Sequence, residues 1–221
     1  MTFPNAYKGV KKLHTAQVLG LISAILGVVI AIFVVLSVAA ISSQNESAAV
    51  VFGLLILVVG IAAGVLAIIA YILQIVGLKN ASHDDNSFYT AFVFAIIGLV
   101  LTVLATIFSS LNVANGFGDD IASLFTKFST IIITAFVIIG VSNLAGKLEQ
   151  SAMAKRAKSV GTLQIVILAL SIVASIIALF TGNAATIISG VLGLIASLLT
   201  VVFAIVYLVF LGKAKKMLKE N

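Results

Sequence analysis

The chain has 221 residues, of which 62% are hydrophobic and only 9% charged. Soluble proteins carry about a quarter of charged residues, so a soluble globular domain is excluded. A net charge of +6 would point a soluble protein toward nucleic acid, but here the placement of the charge explains it without one. Cysteine is absent, which excludes a disulfide framework and any thiolate metal site.

Residues 1–15 form a basic lead-in with Lys8, Lys11 and Lys12. An apolar run follows, predicting helix 1 over about residues 16–41. It is longer than the roughly 7 to 15 residues of a signal-peptide core and matches later internal segments, so a retained membrane helix is expected. Ser47, after the polar turn 42–47, is the expected cap of helix 2, over about 48–78. In the loop 79–86, Asp84 and Asp85 stand where carboxylates suit the N-terminus of helix 3, about 88–111. The pair Asp119-Asp120 marks the start of helix 4, about 120–143. A basic loop, 147–159, whose helix formers also allow a cytosolic extension of helix 4, precedes helix 5, about 161–180; helix 6, about 184–212, leads into a basic tail, 213–221. Crossing the ~30 Å hydrocarbon core takes about 20 apolar residues. The expected fold is therefore all-α: an integral membrane bundle of six helices in a single transmembrane domain.

An internal repeat accompanies this count. Ala16–Phe33, Ala91–Phe108 and Leu163–Phe180 are apolar segments that end on Phe at nearly equal spacing, and Gly77, Gly140 and Gly212 close the three two-helix units. Three tandem hairpins related by an axis along the membrane normal are expected. The proline-acid and basic motifs of the mitochondrial carriers, which share that architecture, are missing, since the only proline is Pro4. That family is excluded.

Lys and Arg accumulate near helix ends on the cytoplasmic side. With both termini cytosolic, twelve of the thirteen lie inside: Lys8, Lys11, Lys12, Lys79, Lys147, Lys155, Arg156, Lys158, Lys213, Lys215, Lys216 and Lys219. Only Lys127 lies outside. The four tyrosines, Tyr7, Tyr71, Tyr89 and Tyr207, fall near the same inner interface. A multi-pass protein of a prokaryotic cytoplasmic membrane is the expected location.

At about 100° per residue, Gly53, Gly60, Gly64, Ala67 and Tyr71 share an arc of helix 2, read as a packing face. The GxxxG pair Gly60 and Gly64 is assigned to packing within the chain, with homodimerisation as the alternative. Helix 3 offers Ala91, Ala95, Gly98, Thr102, Ala105 and Ser109; helix 6 offers Ser189, Gly193, Ala196, Thr200 and Ala204.

Lys127, the only ionisable side chain inside an apolar segment, is either a ligand or lipid contact near Asp120 or a stem snorkelling to the headgroups. Gln17, Gln74 and Gln164, near the inner helix ends, either bond across helices or reach interfacial water. The basic runs 155–158 and 213–219 are topology signals that can also attract anionic lipids.

No catalytic, cofactor or metal residues are expected. There is no HExxH, no P-loop and no acid pair within an apolar segment. The bilayer is the expected partner, with a membrane protein or a second copy as further possibilities. These residues lead to a non-enzymatic scaffold or accessory subunit of a membrane complex. The alternative is a transporter subunit or a ligand-binding membrane protein for a small neutral or apolar molecule.

Overall fold

The structure is a computed structural model. It describes the backbone of residues 2–110, 117–178 and 183–220, and the side chains of these apart from 46, 105–106, 108–127, 174–176, 178–187, 189, 193–194 and 197. Six α-helices, and among the described residues no strand, make up the chain: α1 (Pro4–Ser42), α2 (Glu46–Ala81), α3 (Asn86–Ser110), α4 (Phe117–Lys147), α5 (Ser151–Ala178) and α6 (Asn183–Glu220). All six are long and apolar enough to cross a membrane.

Several helices run well past their expected ends. Pro4 opens α1 at the first helical position, where a missing N–H costs nothing, so the basic lead-in is helix. The expected loop 147–159 shrinks to 148–150, and residues 151–159 are the first turns of α5. The expected tail is helix to Glu220. At 39 residues, α1 is about 58 Å long, nearly twice the hydrocarbon core.

Two turns are closed by a residue other than glycine in the left-handed region, Gln44 and Glu149, each at φ 57. At the first, the Asn45 N–H donates to the Ala40 carbonyl at 2.9 Å, while Asn45 Oδ1 accepts from the Ala48 N–H at 3.2 Å. Asn45 therefore caps α2, and Ser47 lies inside the helix. At the second, the Gln150 N–H donates to Ala145 O at 2.8 Å. Both follow the pattern that satisfies orphan carbonyls at a helix end.

The described chain divides into two compact units: residues 12–76, and residues 1–11 with 77–221. The first is an antiparallel hairpin of α1 and α2. Ala16, Leu19, Ser23, Leu26, Ile30, Phe33, Ser37 and Ala40 lose accessibility on α1, as do Phe52, Ile56, Val59, Ala63, Leu66, Ala70 and Leu73 on α2. This alternation of three and four is the seam of coiled-coil-like packing. Ser23 Oγ donates to Ala63 O across it at 3.0 Å, and the Phe33 and Phe52 rings stack at 6.3 Å.

In the second unit α3 packs on α4, α4 on α5 and α5 on α6. Phe94 stacks on Phe136 at 6.4 Å. The core gathers at one end, here termed basal, where α3 and α5 begin and α4 and α6 finish. Phe88, Leu78, Leu144, Leu211, Val10, Val137 and Val141 are its largest fully buried side chains. Here α1 contributes its first turns. A Cβ at Gly9 would lie 2.5 Å from Gly77 O and 2.7 Å from the Ala81 Cβ, so only glycine permits that backbone approach.

Candidate functional site

The most elaborate polar arrangement described is a knot at the basal end, built from two neighbouring carboxylates with separate tasks. Asp84 reaches the first turn of α1, where Oδ2 accepts from the Ala6 N–H at 2.6 Å and Oδ1 from the Asn5 side-chain amide at 3.2 Å. A carboxylate from another part of the chain thus satisfies a donor that the helix start leaves open. Asp85 caps its own helix, α3, by accepting from the Ser87 N–H at 2.9 Å.

The same Asp85 carboxylate, only 7% exposed, pairs with Lys147 Nζ at 3.5 Å and accepts from the Asn143 amide at 3.4 Å. Asn143 also donates to Ser87 Oγ at 3.2 Å. Lys147 in turn sits 5.8 Å over the Phe3 ring. The last turn of α4 is where a cation complements the helix dipole. Four chain segments meet here: the start of α1, the 82–85 turn, the start of α3 and the end of α4.

Position in the sequence had assigned both aspartates to α3. Asp85 serves it, but Asp84 serves α1. The partner Asn5 lies 79 residues away, beyond the reach of any local pattern, and the available signal was the short Pro4-Asn5 helix start.

Within the apolar spans, three threonine hydroxyls turn to backbone. Thr102 Oγ1 donates to Gly98 O at 2.8 Å, Thr134 Oγ1 to Thr130 O at 2.7 Å and Thr200 Oγ1 to Ala196 O at 2.8 Å. Gln164, buried, donates to Ile131 O on α4 at 2.8 Å, the interhelical alternative of the two expected for it. Gln17 and Gln74 are half-buried and belong to the other unit. The side chains of Lys127 and Asp120 lie outside the described residues, as do the surroundings of Gly193.

The expected small-residue faces divide. On α3, Ala91, Ala95 and Gly98 are buried, and a Cβ on Gly98 would lie 2.7 Å from Ser129 Oγ. On α2 the expectation is corrected: a Cβ on Gly53, Gly60 or Gly64 meets nothing within 4 Å, and the seam runs instead through Val59 and Ala63. On α6, Ala196 is buried whereas Thr200 is exposed.

Among the described residues no buried side-chain nitrogen or oxygen lacks a partner, and no three His, Cys, Asp or Glu side chains gather as a metal site would require. Comparisons with protein-family models, with curated proteins and with solved structures found no match.

Proposed function

We propose that this protein is a non-enzymatic scaffold or accessory subunit of a complex in a prokaryotic cytoplasmic membrane, with three tandem hairpins and both termini in the cytosol. The observation that carries this reading is how its polar groups are used. Thr102, Thr134, Thr200, Ser23 and Gln164 direct their donors to helix backbone, so these groups serve structure. The basal carboxylates tie helix ends together. Apolar side chains such as Ile25, Val35, Val58 and Ile61 remain outward, available to lipid or to the helices of a partner, where dispersion and close packing drive association. The partner is then another membrane protein or a second copy of this chain.

Two measurements test this together. Extracted from its native membrane in mild detergent, the protein should travel in an assembly larger than the chain alone. Reconstituted in liposomes under a pH or sodium gradient, it should take up none of a panel of metabolites. A lone monomer in the native membrane, or reproducible gradient-driven uptake, would overturn the reading in favour of a transporter.

A further inference from the structure

We propose that the basal end of the α5–α6 hairpin is a binding surface for the phosphate headgroups of anionic phospholipids. This deepens the scaffold reading and shares with it only the premise that the helices cross a bilayer. The expected basic loop is instead an ordered amphipathic helix. Met153, Ala157, Val160 and Gln164 are buried along one side of α5, and Lys155, Arg156, Lys158, Ser159 and Thr162 are exposed on the opposite side. At 100° per residue these five occupy a single face.

The end of α6 is built the same way. Ala214, Met217 and Leu218 are buried, while Lys213, Lys216 and Lys219 are exposed. Because α5 and α6 pack together and are joined by a short link, the start of one and the end of the other lie at the same end of the hairpin. Two exposed acidic side chains temper the set, Glu220, 3.8 Å from Lys216, and Glu149 in the turn just ahead of α5.

Orienting a chain in the membrane requires only a count of positive charges, which a loop supplies as well. Here two buried stripes hold the helix backbone that carries the cations, each within a few turns of exposed apolar side chains such as Ile165 and Val209. With those apolar side chains in the hydrocarbon, the cations stand at the headgroup level. A nucleic acid or an acidic protein would meet the same charges only from the aqueous side, whereas lipid phosphates are already beside them. Each basic residue near an anionic surface raises its attraction roughly fivefold.

Full-length protein in phosphatidylcholine vesicles, probed with spin-labelled phosphatidylglycerol and phosphatidylcholine, measures the preference directly as the ratio of motionally restricted lipid. Wild type should favour phosphatidylglycerol, and high salt should collapse that preference. The triple substitution Lys155→Gln, Arg156→Gln, Lys158→Gln, which retains good helix formers, should lower it about tenfold or more. The pair Lys8→Gln, Lys79→Gln should lower it far less. A preference that persists in high salt, or that the triple and the control reduce alike, would overturn the proposal. So would its loss to inorganic phosphate but not to chloride of equal ionic strength, which would mark a site for soluble phosphate compounds. Retention of RNA without any lipid preference would overturn it too. None of these readouts depends on transport or on a protein partner, so the proposal and the scaffold reading fail separately.

Discussion

Asp84 and Asp85 are chemically identical neighbours, and the backbone between them decides that one caps α1 and the other caps α3. Removing a side-chain acceptor from a helix start costs about 1 kcal/mol. Asp84→Ala should therefore lower the melting temperature of the detergent-solubilised protein, and Asp84→Asn, which keeps an acceptor oxygen, should lower it less. His83→Ala, at an exposed position of the same turn, serves as the reference. Equal melting for all three would mean that Asp84 contributes nothing to the start of α1. The task of Asp85 was legible because an aspartate just ahead of an apolar run is a local signal. That of Asp84 was not, because its partners are brought to it only by tertiary packing.

At the scale of the element, the six helices were legible, since runs of apolar residues between polar turns leave few alternatives. Their ends were not. Lys, Met, Ala, Glu and Gln around residues 147–159 are good helix formers, so charge there marks a change of surroundings rather than of backbone. On α3 the small residues Ala91, Ala95 and Gly98 are buried, whereas on α2 the same rule does not mark the contact face. Small residues permit close approach without compelling it, and in lipid a glycine stripe facing outward carries no penalty of burial. The seam was instead written in the alternating spacing through Val59 and Ala63, which a run of near-uniform hydrophobicity conceals. Gly60→Leu and Gly64→Leu should accordingly leave folded yield and melting temperature unchanged. Ala63→Leu, on the seam at the carbonyl that accepts the Ser23 hydroxyl, should lower both. Loss of fold in the two glycine variants with Ala63→Leu intact would reverse the assignment of faces. The turns offer a gain of stability. Left-handed backbone costs a side-chain-bearing residue about 1 kcal/mol, so Glu149→Gly should raise the melting temperature modestly, and a fall would mean that the Glu149 side chain stabilises the turn.

Across the whole molecule, the direction of insertion follows from where the cations are. Twelve of the thirteen Lys and Arg residues lie in the unit formed by residues 1–11 and 77–221, and apart from Lys127 they stand at positions 8, 11, 79, 147, 155, 156, 158, 213, 215, 216 and 219. These eleven are at helix ends that converge on its basal side by connectivity. The largest fully buried side chains gather there too, so the best-packed part of this unit is also its most strongly charged. Moving so many cations across a bilayer is opposed by both their hydration and the membrane potential. The basal end should therefore stay in the cytosol, with the Ser43–Asn45 turn on the other side. The chain contains no cysteine, which leaves a clean background for labelling. In intact cells, Ser43→Cys should react with a membrane-impermeant maleimide, whereas Ser82→Cys and Ser151→Cys should react only after permeabilisation. Ser43 and Ser151 are exposed, so failure of either to label in permeabilised cells would report misfolding rather than sidedness. Labelling of Ser151→Cys from outside, with Ser43→Cys protected, would invert the topology and remove the basis for a cytosolic lipid-binding surface. Labelling of both from outside would show that the number of crossings between them is even, and at least one of α2, α3 and α4 would then not span the membrane.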